Sequence, residues 1–433
     1  MKLDEARFLE PAGQQAVGSA RASRLVETGT RAVPLSIEGR LLRHLLRSLG
    51  DAPVRMTLWN GASVSAGGAD DVAGIRIADR SALLKLFIDP DLYLGESYAD
   101  GSIEIEGDLV KLLETVFRHR RRVKVPLFGG RSRLARWMNR SRPNTRSSAR
   151  WNIHQHYDIG NEFYRLWLDR QMVYTCAYFP DPAMTLEEAQ VAKMDHVCRK
   201  LRLDPRDTVV EAGCGWGTLA LHMAARYGAR VTAFNISREQ IAYARERARA
   251  LGVERRVEFV EDDYRNISGR YDAFVSIGML EHVGRSHHQE LGSVINRCLH
   301  RDGRGLLHSI GQNRRIALNA WIEKRIFPGA YPPTLSEMAA LLEPGAFSVI
   351  DVENLRLHYA LTLEHWLRRF EDAREEVGGM FDERFVRTWR LYLAGSLAAF
   401  RTGELELFQV LFTREGNNEV PRTRAYLYEQ AAG

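Results

Sequence analysis

The sequence predicts an α/β protein: a parallel, doubly wound sheet under a helical cover, preceded by a small α+β domain. Three observations predict it. From Trp151 onward, short apolar runs alternate with runs of helical length, the pattern of strand–helix–strand units in a parallel sheet. One of these strands passes directly into a glycine turn, Ala212-Gly213-Cys214-Gly215-Trp216-Gly217, and then a helix. A basic interval, free of acidic residues between Glu114 and Asp158, separates this region from a differently patterned first part. These features divide the chain into a small α+β domain at 1–117, a basic linker or membrane-contact segment at 118–150, and an α/β catalytic domain at 151–433. A length of 433 residues exceeds what one compact core usually holds.

Taken in order, Leu41, Leu42, Leu45 and Leu46 have helical spacing. Strand-like runs follow at Val54 to Trp59 and Gly74 to Ile77, then a helix-like stretch at Leu83 to Ile88. No catalytic cluster stands out in this part. The basic interval carries Arg118, Arg120, Arg121, Arg122 and Lys124, and further arginines to Arg150, with Leu127, Phe128, Leu134 and Trp137 among them. Such a segment is either a solvated linker or a surface for anionic membrane, its apolar groups entering the headgroup layer while guanidinium groups meet phosphates. RNA would be a third partner, but no RNA-binding motif is present, and no nucleic-acid partner is expected.

In the third part Leu186 to Leu201 reads as a helix, Asp207 to Glu211 as a strand and Thr218 to Tyr227 as a helix. Arg230 to Phe234 is a second strand and Arg238 to Ala250 a long helix. Strands at Val257 to Val260, Tyr271 to Ile277 and Gly305 to Ile310 follow, with a helix between the last two. Helices from Leu361 to Phe370 and Phe385 to Phe400 complete the cover.

Composition narrows the class. A hydrophobic content of 45% with 27% charged residues is that of a globular protein. The opening MKLDEARFLEPAGQQ does not read as a secretory signal, and no run reaches the length of a membrane span, so a cytoplasmic protein with at most peripheral contact to the inner membrane face is expected. Cys176, Cys198, Cys214 and Cys298 lack zinc-site spacing and disulfide density; reduced thiols and no metal are expected. A net charge of +6 favours an anionic partner.

The glycine turn discriminates between cofactors. Dinucleotide sites need GxGxxG, whose third glycine helps seat a pyrophosphate on the helix start; here Thr218 stands at that position. The ExGxGxG form, with Glu211 at the strand tip, instead resembles motif I of class I S-adenosylmethionine methyltransferases, which makes the expected fold Rossmann-like. After the second strand, where many such enzymes place an acid for the ribose hydroxyls, this chain has Asn235-Ile236-Ser237; an amide can still bond a hydroxyl.

Further runs make the resemblance specific. HYDIGNEFY (His156 to Tyr164), YTCAYF (Tyr174 to Phe179), EAGCGWG (Glu211 to Gly217), DYRN (Asp263 to Asn266), GMLEHVG (Gly278 to Gly284), LLHSIG (Leu306 to Gly311) and Tyr359 resemble, in order, the motifs of cyclopropane fatty acid synthases and mycolic acid cyclopropane synthases. LGESYADG (Leu94 to Gly101) resembles a segment of the amino-terminal domain of the phospholipid-acting members. The resemblance implies that S-adenosylmethionine touches Tyr174, Thr175, the turn residues Val209, Glu211, Gly213, Cys214, Gly215, Trp216 and Gly217, then Asn235, Ile236 and Gln240, and finally Tyr264 and Arg265. It also implies a bicarbonate ion held by Cys176, Glu281, His308, Tyr359 and the backbone of Ile310, unsaturated phospholipid acyl chains as substrate, and a homodimer.

The implied chemistry suits these residues. A sulfonium methyl is electrophilic enough for attack by an unactivated alkene, and the resulting carbocation is so acidic that weakly basic bicarbonate can take the proton whose loss closes the ring. His308 and Tyr359 can donate to the anion and Glu281 can accept from its hydroxyl, provided Glu281 is not an unpaired carboxylate. Each residue has a structural alternative: Cys176 a small buried hydrophobe, His308 a core histidine, Glu281 and His282 caps, Tyr359 a packing group. Joint occurrence in ordered runs favours the site. The insertion carrying Trp321, Ile322, Ile326, Phe327, Pro328, Tyr331, Pro332, Pro333, Leu341 and Leu342 suits an acyl channel or, alternatively, an ordinary helical cover. Two competing functions stay open: methyl transfer to a branched or unsaturated product, and a degenerate, non-catalytic fold that binds lipid or nucleic acid.

Overall fold

The computed structural model describes residues 36–120 and 159–428. Most of the basic interval and the start of the HYDIGNEFY run lie outside them.

The first part holds a four-stranded sheet of β1 (Val54–Leu58), β2 (Ser63–Ser65), β3 (Ala73–Ile77) and β4 (Ile103–Glu106), in the order β2-β1-β3-β4. Alternate residues Val54, Met56, Leu58, Ile75 and Ile77 point to a core that also takes Leu42, Leu45 and Leu46 from the helix Ile37–Ser48. The helix Pro90–Ala99, with Asp89 capping it and proline in its first turn, faces elsewhere: its Leu92 and Tyr98 join the aromatic core of the second part. A Cβ at Gly95 would lie 2.4 Å from the Trp321 ring, so the LGESYADG run keeps a glycine where an indole meets helix backbone. Trp321 is thus seated at the junction of the two parts.

The second part is built on a seven-stranded sheet: β5 (Thr208–Ala212), β6 (Arg230–Asn235), β7 (Val257–Glu261), β8 (Tyr271–Ile277), β9 (Leu299–Gly311), β10 (Phe347–Asn354) and β11 (Glu406–Arg414), ordered β10-β11-β9-β8-β5-β6-β7. From β7 to β9 every pairing is parallel. Val209, Val231, Phe259, Ala273, Val275 and Leu306 pack on one face against the helices Leu186–Lys200, Thr218–Tyr227 and Arg238–Ala250. Val210, Phe274, Leu307 and Val410 pack on the other against His288–Cys298 and Leu335–Leu342. Local signals set these helices: Thr185 and Glu188 form a capping box, Ser237 caps Arg238–Ala250, and Gly228 ends Thr218–Tyr227 in the left-handed conformation.

The expected parallel sheet is extended by an antiparallel flank. β11 lies between β9 and β10 and runs antiparallel to both. β9 also begins at Leu299, earlier than the predicted Gly305, and β5 is shifted one residue along from the predicted strand. β11 is invisible to alternation because it is buried along nearly its whole length, and a continuous apolar run does not distinguish strand from helix. No helix among the described residues is long and apolar enough to cross a membrane.

Candidate active site

The site lies beyond the carboxyl ends of β5, β6, β8 and β9, where strand order reverses around β5. Gly213, Gly215 and Gly217 all have positive φ, of 83°, 54° and 78°. Each glycine has its own reason. At Gly217 a Cβ would be 2.6 Å from the Phe259 ring and 2.7 Å from Ala244, so the bare Cα lets the following helix start in contact with its neighbours. At Gly213 it would stand 3.0 Å from Met279. At Gly215 nothing among the described residues lies within 4 Å of that position.

The turn is clamped to β6. The N–H groups of Gly213 and Cys214 both donate to the Phe234 carbonyl. The Asn235 amide donates to the Gly215 carbonyl at 3.1 Å and to Gln240 Oε1 at 2.7 Å, while its own oxygen accepts from Ile236 N at 2.8 Å. This asparagine is therefore engaged within the protein, and Gln240 Nε2 is left buried with no partner among the described residues. Trp216 Nε1 donates to Asn161, joining the turn to the end of the HYDIGNEFY run. Tyr264 and Arg265 follow β7, but the Arg265 guanidinium bonds Asp263 at 2.8 Å and Glu290 at 3.0 Å and is buried, which gives it a structural engagement beside any ligand contact.

Several residues around the cradle escaped the sequence reading. Lys193 is 2% exposed and donates to Thr175 Oγ1 at 3.0 Å. Burial pushes its pKa down to about 8, against the opposing fields of Asp169, Cys176 and Glu211. Gln190, one turn earlier, donates to the Thr175 carbonyl at 2.9 Å. Asp169 accepts from Val173 N and Gln171 N. Together they hold the Val173–Cys176 segment, and with it Tyr174 and Thr175, against the helix Leu186–Lys200. A signal existed: Gln190 and Lys193 fall in the apolar stripe of Leu186, Ala189 and Val197, where an unpaired lysine is costly. Glu211 is 2% exposed; burial raises its pKa to about 8, and its Oε2 has no partner among the described residues.

A second cluster forms at the tips of β8 and β9. Glu281, in the short helix Leu280–Val283, accepts from Ser309 Oγ at 2.8 Å and from Ile310 N at 3.3 Å. Burial pushes its carboxyl up to about 7. Ile310 N–H, expected on an external anion, thus reaches Glu281 across a long bond. Cys176 turns its thiol to the Ala177 carbonyl at 3.1 Å and toward the Leu355 carbonyl at 3.9 Å; burial raises its pKa, which makes it a poor nucleophile. Leu355 also accepts from Tyr359 N and donates to the Leu407 carbonyl, and Leu407 is the register partner of Ile310. The Leu355 and Leu407 main chain therefore links the segments that carry Cys176, Tyr359 and Ile310, and Ile310 in turn bonds Glu281. The Tyr359 ring packs on Phe400 at 4.5 Å. His308 is 2% exposed, its Nε2 without a partner among the described residues. Over this cluster the insertion after β9 places Tyr331, whose N–H donates to the Glu281 carbonyl at 2.7 Å, and Phe327, whose ring meets that of His282.

The chain resembles known proteins over most of this architecture. A family model described as mycolic acid cyclopropane synthetase matches residues 144–410, and a domain of unknown function matches residues 41–124. A probable fatty acid methyltransferase of Pseudomonas putida is 34% identical over 395 residues, covering 87% of this chain and 96% of the relative. The cyclopropane-fatty-acyl-phospholipid synthase of Escherichia coli (strain K12) is 36% identical over 355 residues, covering 80% and 89%. Among solved structures, a mycolic acid cyclopropane synthase complexed with SAH and CTAB superposes with a TM-score of 0.58 at 29% identity, covering 61% of this chain and 98% of that one.

Proposed function

The chain belongs to the mycolic acid cyclopropane synthetase family, and on that premise we propose that it is a cyclopropane fatty acid synthase acting on cis double bonds in the acyl chains of membrane phospholipids, with bicarbonate as general base. It is an S-adenosylmethionine-dependent methyltransferase that modifies lipid acyl chains; the ring product, the phospholipid and the bicarbonate are the proposal. The observation that carries it is the glycine turn Gly213 to Gly217, where the Gly213 backbone stands against Met279 two residues before the buried Glu281, together with a buried His308 whose Nε2 has no partner among the described residues.

Both ligands suit the residues present. The Gly215 backbone, Gln240 Nε2 and Glu211 Oε2, both without a partner among the described residues, and the Tyr174-Thr175 segment held by Lys193 are groups that would hold S-adenosylmethionine. His308 and Tyr359 would hold the anion. When bound, the two supply an electrophilic sulfonium methyl and a weak base. The chain's own contributions are placement, water exclusion and charge control. Glu281, with its carboxyl raised to about 7 by burial, is partly protonated near neutrality and can face an anion through a shared proton instead of as a like charge. Lys193 provides the positive charge facing Asp169 and Glu211. The aromatic wall of Trp167, Trp366, Trp389 and Phe400 keeps the region apolar.

Vesicles of unsaturated phospholipid, supplied with bicarbonate and S-adenosylmethionine bearing a deuterated methyl, test the reading. Expected is a product heavier by one methylene and lacking the double bond, with one deuterium lost on ring closure. Unchanged lipid in the presence of calorimetrically demonstrated cofactor binding would sink it. The second reading, methyl branching, is favoured by the extent of the match to the Pseudomonas putida relative, and a product retaining every deuterium would establish it. We further propose that the basic interval makes salt-sensitive contact with anionic membrane; equal binding to neutral vesicles would exclude this.

A further inference from the structure

His308 is one of two buried residues facing each other across the antiparallel ladder. β9 and β11 pair with His308 directly opposite Gln409, which sends both side chains to the same face of the sheet. Gln409 is fully buried, and its Nε2 lies 3.0 Å from His308 Nδ1. Neither His308 Nε2 nor Gln409 Oε1 has a partner among the described residues. Gln409 belongs to none of the runs that mark the family resemblance.

The ring is neutral. Burial, with the positive fields of Lys193 and Lys200 outweighing Glu353, holds the imidazole well below its ordinary pKa. A neutral imidazole carries one N–H, and what bonds one nitrogen decides the state of the other. An amide N–H directed at Nδ1 requires a bare Nδ1 lone pair, which puts the hydrogen on Nε2. The reversed amide would accept from Nδ1–H, bury both amide hydrogens without acceptors, and leave a bare Nε2 lone pair toward the site. Either orientation leaves two buried N–H groups to satisfy; the first puts one of them on His308 Nε2, where an anion can accept it, whereas a bare lone pair there would repel the anion.

We propose that Gln409 is a positioning residue that holds His308 as the Nε2–H tautomer, so that the ring presents a hydrogen-bond donor to the anion beside the acyl chain. This rests on the anion reading given above. The effect works through a strand remote in sequence: Gln409 touches no ligand itself, yet it decides whether His308 donates or accepts.

The test is nitrogen NMR of the full chain labelled at histidine, with the His308 signals assigned by their loss in His308→Asn. Expected in the unmodified protein is a bare Nδ1 and a protonated Nε2. Gln409→Glu, whose carboxylate can only accept, moves hydrogen onto Nδ1; Gln409→Met, close in volume and without a donor, lets the tautomers mix. Turnover on phospholipid vesicles falls about tenfold or more in Gln409→Glu while the dissociation constant for S-adenosylmethionine stays within about twofold. A protonated Nδ1 in the unmodified protein overturns the proposal, as does an unchanged His308 spectrum in folded Gln409→Met. A shifted tautomer with full turnover supports the tautomer assignment and overturns the anion reading beneath it.

Discussion

On the parallel half of the sheet, polar groups reach the site from turns that immediately follow each strand: Gly213 to Gly217 after β5, Asn235 to Gln240 after β6. On the antiparallel flank the polar groups of the proposed site come from within a strand and from a distant helix, His308 inside β9 and Tyr359 on the helix Arg356–Asp372, with Gln409 backing His308 from across the ladder in β11. The contrast teaches where precision comes from. A turn after a strand is a local structure, held by φ and by contacts with residues nearby in sequence. A cross-strand pair depends on register over a separation of about a hundred residues.

Breaking the turn should have the largest effect. Gly217→Val places a β-branched side chain where φ is 78° and where even a Cβ would lie 2.6 Å from Phe259. We expect a loss of about 4 kcal/mol in stability, measured by denaturant unfolding, with cofactor binding abolished. A loss below about 1 kcal/mol would mean that the turn relaxes and the steric account is wrong.

On the flank the comparable probe is Glu281, whose carboxyl goes from 4.5 to about 7 on burial. A raised acid holds its proton more tightly when folded, so its contribution is full below the unfolded pKa and is lost as pH rises from about 4.5 through about 7. Glu281→Gln cannot titrate. Its melting temperature should therefore fall less between about pH 5 and 8 than that of the unmodified protein, with Glu211 and, in the opposite direction, the buried His282 contributing alike to both. Parallel melting curves across that range would show that Glu281 keeps an ordinary pKa.

Asn235→Asp sharpens the comparison from the parallel side. Installing the acid often used for ribose removes the donors to Gly215 and Gln240 and sets a carboxylate against both oxygens. Cofactor affinity should weaken about tenfold by calorimetry; a gain would show that charge on the ribose outweighs the clamp. At the junction of the two parts, Arg384→Ala removes a half-exposed partner of Glu96 at 2.9 Å, and a stability change under about 1 kcal/mol is expected in denaturant melts.

Legibility follows the same divide. The parallel strands and the helices that follow them could be read from the sequence, and the elements Thr218–Tyr227, Arg238–Ala250 and Tyr271–Ile277 begin and end as expected. Lys193 is not legible in the sequence because a lysine in an apolar stripe has meaning only once its partners, Thr175 and the Asp169–Glu211 field, are placed. Gln409 left no local mark: it is one polar residue in the apolar run Leu407 to Phe412.

What the sequence by itself determined was the class of the fold, the glycine turn and the family, because those depend on periodicity, on glycines that alone tolerate the required φ, and on short runs of adjacent residues. Tertiary structure alone decided that β11 would insert beside β9, that Asn235 would serve as a clamp, and that a buried glutamine would face His308. The physical reason is range. Backbone conformation is settled among neighbours, whereas charge state and tautomer are set by whichever group burial brings within a hydrogen bond, however far away it lies along the chain.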